Sequence, residues 1–242
     1  SHSQLKESAV LLDLDDSQLV LVDYQTKLMP HMLEGDAVLA NAVRLAKIAR
    51  MLQLPVFGTE QNPSGLGANV DALRSLCSRT LIKQFFNACD EGLLDWLRPA
   101  PRPAGGNARS LPKHLQKAVP QSPERPSIVI AGCEAHVCLL QTSLALLEHE
   151  FEVWVVTDAC SSRSERNRDA AFDRLAANPK SIRLRMHFAS KSDVVASVLK
   201  PSGIVERLPS EPAGATLSAA RRRPRWYGTI VRLQWGSDDS AC

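Results

Sequence analysis

Residues 127–164 have the sequence SIVIAGCEAHVCLLQTSLALLEHEFEVWVVTDACSSRS, which contains a complete strand–helix–strand pattern. Residues 128–130 are β-branched and lead to Gly132, which predicts a short buried strand. Apolar residues then recur at helical spacing, which predicts a helix beginning near His136; they are Val137, Leu140, Leu144 and Leu147. Residues 151–157 predict a second buried strand. The segment is therefore a β-α-β unit, whose two strands should be parallel.

Cys138 falls in the first turn of this predicted helix. Unpaired backbone N–H groups and the positive end of the helix dipole favour an anion there. We therefore expect the Cys138 thiol to lean towards the thiolate, which is the reactive form. A buried structural thiol is the alternative that the sequence leaves open.

Length and composition favour one α/β domain with extensions. The chain has 242 residues, of which 44% are hydrophobic and 23% are charged, as in an ordinary globular protein. We predict an N-terminal lead-in over 1–16 and a domain over 17–200. An inserted loop rich in proline and basic residues covers about 98–126, and a basic extension covers 201–242.

Several protein classes are disfavoured by the same sequence. The longest apolar runs are of strand length, so we expect no transmembrane span. We see no secretory signal pattern and expect a cytoplasmic protein. The six cysteines contain no C-x-x-C pair, which argues against a zinc site or a disulfide framework.

The net charge of +3 does not by itself imply nucleic acid, but basic residues cluster near the C-terminus beside two aromatic residues. This cluster consists of Arg221, Arg222, Arg223, Arg225, Trp226 and Tyr227. A solvated tail is the simpler interpretation, and a contact with RNA phosphates is the alternative.

The rest of the chain alternates between strand and helix patterns. Strands are predicted over 19–22, 54–57, 80–82 and 182–188, and helices over 36–52, 71–77, 90–97, 164–177 and 190–199. Asp36 and Ser164 are expected to cap their helices. We expect a turn-rich loop over 58–67, and a core face of the first helix made of Leu39, Ala42, Val43, Ala46 and Leu52. This alternation predicts a three-layer αβα, Rossmann-like fold around a doubly wound, mainly parallel sheet.

Three chemically active side chains follow predicted strands. Asp23 follows the first strand, Lys83 ends the third, and Cys138 follows the strand that starts at residue 127. Because parallel strands end at one edge of a sheet, we expect these side chains to meet. A carboxylate can accept the thiol proton and an ammonium can stabilise the thiolate. Turn capping by Asp23 and a solvated Lys83 are the simpler alternatives.

Four segments resemble the isochorismatase-like cysteine hydrolases, especially their isochorismatase domain-containing branch. They are LVLVDYQ (19–25), FGTEQNPSGLG (57–67), LIKQFF (81–86) and the stretch from residue 131 to 164, and the resemblance spans about 19–175. It implies a six-stranded sheet and assigns Asp23, Lys83 and Cys138 to the family's catalytic triad. It also implies a cis peptide bond between Cys133 and Glu134, which would aim the N–H groups of Glu134 and Cys138 into one oxyanion hole.

The resemblance implies that Cys138 attacks a small amide, carbamoyl or related acyl substrate through a thioester. Candidate substrate contacts are Tyr24, Gln25, Glu60, Gln61 and His136, with core packing of Tyr24 and loop stabilisation by Glu60 and Gln61 left open. Asp158, Ser161 and Arg163 are expected to form a structural salt-bridge and capping set. We expect no metal because Thr59–Pro63 lacks the Asp-x-His cluster of nicotinamidases. We expect no cofactor. We expect the protein to form homo-oligomers, either dimers or tetramers.

Two alternative functions remain at this stage. One is an RNA-binding or ribonuclease-like protein that uses the basic insert and tail. The other is a catalytically idle oligomeric scaffold with the same fold.

Overall fold

The computed structural model describes residues 12–99, 124–178, 186–192 and 194. Its strands are β1 (Ser17–Val22), β2 (Val56–Gln61), β3 (Arg79–Lys83), β4 (Ser127–Gly132), β5 (Glu152–Val156) and β6 (Met186–Ala189). Its α-helices are α1 (Gly35–Met51), α2 (Pro63–Leu66), α3 (Asp71–Arg74), α4 (Leu93–Leu97), α5 (Leu140–Glu148) and α6 (Glu165–Ala177). Short 3₁₀ turns cover Met29–His31, Ala88–Glu91 and Thr157–Ala159, and a π-helical turn covers Ala135–Leu139.

The six strands form one sheet in the order β3-β2-β1-β4-β5-β6, and every neighbouring pair is parallel. The order runs outward in both directions from β1 and β4, as in a doubly wound sheet. Helix α1 contacts α3, and α5 contacts α6. With right-handed crossovers these two groups lie on opposite faces of the sheet. The predicted three-layer αβα fold is confirmed.

The central strands explain why the site edge is rigid. All six residues of β1 and all six of β4 are buried. Their β-branched and leucine side chains pack against helices on both faces, as expected for interior parallel strands. The residues that follow these strands are therefore held by a well-packed sheet.

Helix α1 differs in detail from its prediction. It begins at Gly35 after Glu34, whose φ is 53°, so Asp36 lies inside the first turn and is not the cap. The buried face is Val38, Ala42, Leu45, Ala46 and Ala49, whereas Leu39, Val43 and Leu52 are half-buried. Small residues on this face let the helix approach the sheet closely, and they carry less hydropathy than the leucines that guided the prediction.

The predicted loop over 58–67 is partly wrong. Strand β2 continues through Gln61, and α2 follows immediately. Gly58, which suggested a turn, lies within this strand. A Cβ at this position would stand 3.0 Å from the Cys77 Sγ atom, so the close approach of the Cys77 side chain favours glycine there.

Later elements agree with the sequence where the structure describes them. The Ser164 hydroxyl accepts a hydrogen bond from the Asn167 N–H, which confirms the predicted cap of α6. Strand β6 covers the end of the predicted strand, and residues 191, 192 and 194 are helical. The lead-in, the inserted loop and the basic extension lie largely or wholly outside the described residues, so the predicted domain limits stay predictions.

Within the described ranges, no helix combines the length and the apolar character needed to cross a bilayer.

Candidate active site

The carboxyl edge of the sheet brings three predicted residues together. Asp23 directly follows β1, Lys83 ends β3, and Cys138 lies in the π-helical turn that follows β4. Strand β1 is a neighbour of β4, and β2 alone separates it from β3. The long Lys83 side chain spans that gap.

Asp23 and Lys83 form a buried ion pair. The Lys83 Nζ atom lies 2.8 Å from Asp23 Oδ2, and the two side chains are 0% and 1% exposed, Lys83 first. Lys83 Nζ also donates to the carbonyl oxygens of Phe85 and Phe86, each at 3.3 Å. The chain just after β3 thus folds back over its own ammonium group. Sequence patterns contain no signal for these carbonyl contacts.

Thr59 holds Asp23 from the neighbouring strand. Its hydroxyl donates to Asp23 Oδ1 at 2.6 Å, and its carbonyl oxygen accepts from the Asp23 N–H at 3.2 Å. The sequence interpretation missed Thr59, because it placed this residue in a loop. No pattern in the sequence identifies this residue, because only the register of β2 with β1, in which Thr59 pairs with Val22, brings it beside Asp23.

Cys138 is 7% exposed, and its thiol lies close enough to Asp23 and Lys83 for both side chains to act on its ionisation. Burial raises the pKa of the Cys138 thiol well above its ordinary value, and the Asp23 charge raises it further, while the Lys83 charge lowers it. The expectation that Cys138 leans towards the thiolate is therefore wrong for the resting site. Asp23 and Lys83 largely offset each other, so desolvation decides the direction.

The peptide bond between Cys133 and Glu134 is cis, which confirms the expectation from the resemblance. The Glu134 carbonyl oxygen accepts from the N–H groups of Val137 (3.1 Å) and Leu139 (3.4 Å). These donors flank Cys138, whose N–H would use the same carbonyl in a regular α-helix. The turn leading to the thiol is also fixed by the Ala135 N–H, which donates to the Ser161 carbonyl at 2.7 Å.

Tyr24 and Gln25 were predicted to wall a substrate pocket, and the structure places both side chains in the core. Both are fully buried. The Tyr24 hydroxyl donates to the Ala159 carbonyl, and Gln25 Nε2 donates to the carbonyls of Gln61 and Gly67. Both side chains stabilise the loops around the site from within the core.

Glu60 is also a structural residue. It is 2% exposed, accepts from the Asn69 N–H at 2.8 Å and pairs with Arg74 Nε at 3.5 Å. These contacts fit the loop-stabilising alternative for Glu60, and its role as a substrate contact stays a prediction. Gln61 is half-buried and donates through Nε2 to the Gln84 carbonyl at 2.9 Å, which ties the ends of β2 and β3 together.

His136 lies half-buried two residues before Cys138. Its Nδ1 atom is 2.9 Å from Ser162 Oγ, and its Nε2 atom is 3.4 Å from Asn167 Nδ2. Because an amide nitrogen only donates, Nε2 accepts and the Nδ1–H group donates to Ser162. Two residues thus fix the orientation of this ring within the π-helical turn that contains Cys138.

Asp158, Ser161 and Arg163 make the structural contacts that were expected. Asp158 pairs with Lys191 at 3.2 Å, and the Ser161 hydroxyl donates to the Leu33 carbonyl at 2.6 Å. Arg163 Nε lies 3.5 Å from Glu134 Oε1, which anchors the residue just before the π-helical turn. In the part of the chain that the structure describes, no cluster of three or more His, Cys, Asp or Glu residues could hold a metal ion.

Comparison with known proteins gives a match to one protein family. The isochorismatase domain model matches residues 110–182. Rat isochorismatase domain-containing protein 2 is 34% identical over 161 residues, which is 66% of this chain and 66% of that protein. The mouse protein 2A is 32% identical over 161 residues and is covered over 67% of its length. The chain thus spans about two thirds of the length of the curated relatives that it matches.

Solved structures show the same fold. The Escherichia coli YcaC gene product, described as an octameric hydrolase of unknown specificity, has a TM-score of 0.65 at 22% identity over 81% of this chain and 85% of that chain. The MAR1 ribonuclease of Caenorhabditis elegans has a TM-score of 0.64 at 23% identity over 87% of this chain and 100% of that chain. These structures share the fold, and the sequence relatives show that the chain belongs to the isochorismatase-like family, in its isochorismatase domain-containing branch.

Proposed function

We propose that this protein is a cysteine hydrolase that cleaves a small amide, carbamoyl or related acyl substrate, with Asp23, Lys83 and Cys138 as its catalytic residues. The observation that carries the proposal is the buried Asp23–Lys83 ion pair in contact with the Cys138 thiol. A buried ion pair without a chemical role is weak evidence for stability, because desolvation offsets much of its attraction. A base and a cation that both contact one thiol are suited to nucleophilic catalysis.

The proposed first step starts from a neutral thiol. Cys138 transfers its proton to the Asp23 carboxylate as the sulfur attacks the substrate carbonyl carbon, and Lys83 stabilises the negative charge that develops on sulfur. The backbone N–H groups of Glu134 and Cys138 receive the carbonyl oxygen. The protonated Asp23 then gives its proton to the leaving amine, and a thioester forms.

The second step is hydrolysis of the thioester. Asp23, again a carboxylate, accepts a proton from water as the water oxygen attacks the thioester carbon. The C–S bond breaks, and the proton returns to the Cys138 sulfur. The site thereby regains its resting protonation without any group beyond the three side chains and water.

The test is acylation of the purified full chain by p-nitrophenyl acetate, together with a screen of primary amides and carbamates. We expect a burst of p-nitrophenol and an acetyl group on Cys138 by mass spectrometry. Cys138→Ala should abolish the burst, whereas Cys89→Ala should keep it, because Cys89 is buried against the Thr142 carbonyl of α5. A burst of equal size in Cys138→Ala would overturn the proposal.

The second candidate is RNA binding or ribonuclease activity. A structural neighbour is named as a ribonuclease, and the insert and tail carry basic residues. Phosphate contacts would make RNA affinity fall steeply between 50 and 200 mM salt, whereas turnover of a small amide should hardly change. RNA binding retained by Cys138→Ala, with no acylation in the wild type, would favour this candidate.

An idle scaffold is the third candidate. It predicts that the wild type shows no p-nitrophenol burst that depends on Cys138, and that no amide in the screen is turned over.

We also propose that the protein forms homo-oligomers, as the description of YcaC says of that protein. Three large apolar side chains near the edge strand β3 are exposed and would favour such contacts: Ile82, Phe85 and Phe86. Sedimentation velocity would measure the assembly. A cytoplasmic location is our remaining proposal, supported by the five free cysteines of the described residues, because free thiols persist in reducing compartments.

A further inference from the structure

We infer that Thr59 is a positioning residue of this site, which orients the Asp23 carboxylate for proton transfer from Cys138. The inference rests on the proposed function and adds a residue that the triad does not include. Its basis is the pair of hydrogen bonds that joins Thr59 to Asp23 through both side chain and backbone.

The backbone of Asp23 shows why a positioning residue is needed. Asp23 has a φ of 55°, in the left-handed region that side-chain-bearing residues rarely adopt. Such a conformation persists only where the surroundings impose it. Thr59 supplies part of that restraint, because its carbonyl oxygen accepts the Asp23 N–H while its hydroxyl donates to Oδ1.

The two carboxylate oxygens of Asp23 have different partners. Oδ1 accepts from the Thr59 hydroxyl at 2.6 Å, and Oδ2 accepts from Lys83 Nζ at 2.8 Å. With both oxygens held, the plane of the carboxylate is fixed relative to the Cys138 sulfur. Each oxygen has two acceptor sites, so one remains to receive the thiol proton.

Asn69 and Glu60 stabilise the position of Thr59. Its carbonyl oxygen also accepts from Asn69 Nδ2 at 2.9 Å, and the Asn69 N–H donates to Glu60. Glu60, which was predicted to contact substrate, thus contributes to this chain of contacts through Asn69. It supports the strand segment that presents Thr59 to Asp23.

The charged and titratable groups around Asp23 are Lys83 from β3, Cys138 from the π-helical turn and Cys133 after β4. Lys83 alone among them is a cation. The Thr59 hydroxyl is a neutral donor to Asp23 Oδ1. Loss of this donor leaves Oδ1 without its partner and frees the carboxylate to rotate away from the Cys138 sulfur.

The experiment compares Thr59→Val with Thr59→Ser in the full chain. Valine keeps the branched shape and removes the hydroxyl, whereas serine keeps the hydroxyl. Thr80→Val is the matched control, because Thr80 lies half-buried on the adjacent strand β3, opposite Gly58. The first readout is the pH profile of the p-nitrophenyl acetate burst, followed at the isosbestic wavelength of p-nitrophenol. In that step sulfur bonds to the acetyl carbon, p-nitrophenolate leaves, and the thiol proton passes to Asp23.

We expect Thr59→Val to slow acylation about tenfold across the profile, as for loss of a hydrogen bond to a charged group. Thr59→Ser should restore the wild-type profile, and Thr80→Val should not move it. A Thr59→Val profile that coincides with the wild type would overturn the inference.

The second readout does not depend on acyl transfer. The carboxyl carbon signal of Asp23, followed by NMR at pH 7 in protein labelled with ¹³C-aspartate, should change its chemical shift in Thr59→Val and return towards the wild-type value in Thr59→Ser. If the wild type shows no burst while the NMR shift occurs, the hydrolase proposal fails and the positioning of Asp23 by Thr59 stands. If the wild type shows the burst and Thr59→Val changes neither the burst profile nor the NMR signal, the hydrolase proposal stands and the positioning of Asp23 by Thr59 fails.

Discussion

Gly132 and Val22 are in such close contact that a Cβ added to Gly132 would stand 2.5 Å from the Val22 carbonyl oxygen. The two residues are register partners at the ends of β4 and β1. The same Val22 oxygen accepts the Cys133 N–H at 3.0 Å. This contact sets the distance between the strand that leads to Asp23 and the strand that leads to Cys138.

Gly132→Ala should therefore damage both stability and acylation. The added methyl group meets backbone atoms that cannot rotate away, so we expect a loss of about 1–3 kcal/mol in the free energy of unfolding by urea titration. The burst rate should fall because the strand ends move apart. Gly65→Ala is the control, since its Cβ would meet the movable end of the Asn62 side chain. Equal effects of the two substitutions would contradict this account.

Lys83→Met should destabilise the fold by about 3–5 kcal/mol, because it leaves the Asp23 carboxylate buried without its cation. Adding Asp23→Asn should recover part of this loss, since the uncompensated charge is then gone. Lys191→Met provides the contrast, because the Lys191–Asp158 pair is 25% and 31% exposed and should contribute at most about 1 kcal/mol. Urea unfolding at pH 7 measures all of these variants. Additive single and double losses would argue against coupling within the pair.

Stability should decline above pH 9 because of buried thiols. Burial raises the pKa of Cys160 from its ordinary 9.0 to about 12 and that of Cys89 to about 12. The unfolded chain loses these protons first, so the stabilisation is complete below pH 9 and is lost as the pH rises towards 12. Each thiol contributes a slope of at most about 1.4 kcal/mol per pH unit.

Cys160→Ala should flatten that decline, whatever its effect on stability at pH 7. Urea midpoints measured between pH 8 and 10.5 give the slope for each protein. Cys77→Ala should flatten the curve over a narrower window, because the pKa of Cys77 is raised only to about 11. Parallel curves for all three proteins would show that these thiols do not determine the alkaline limit.

His136→Ala should raise KM about three- to tenfold for a substrate found in the amide screen, with little change in kcat, if the ring only contacts bound substrate. The ring is held by Ser162 and Asn167 and makes no contact in the proton path between Cys138 and Asp23 described above. His149→Ala, at the exposed end of α5, is the control. A fall in kcat larger than the rise in KM would instead assign His136 a part in proton transfer.

Much of the site could be predicted because strand ends are readable in sequence. Asp23 and Lys83 each follow a short apolar run, and parallel strands end at one edge. Contacts made across the sheet leave no such pattern. Thr59 lies in a segment rich in turn-forming residues, and only its register with β1 shows that it faces Asp23.

Side-chain direction and burial were the other limits. Tyr24 and Gln25 are adjacent to Asp23 in sequence, yet their side chains enter the core and bond to neighbouring loops. Cys138 does lie in a helical turn. Helix position alone does not show that this residue is only 7% exposed, and its desolvation reverses the expected direction of the thiol pKa.

The π-helical turn over Ala135–Leu139 determines the direction in which the side chains of the following helix α5 point. In an α-helix each residue advances the side-chain direction by about 100°, so one additional residue in a turn re-aims the whole downstream helix. Deleting a single residue here would convert the π-helical turn to a regular α-helical turn. The Cys138 sulfur and the buried leucines of α5 could then not both keep their present directions. Relatives that lack the wide turn should therefore align with a one-position gap beside this cysteine, which makes that gap a simple criterion for sorting the family.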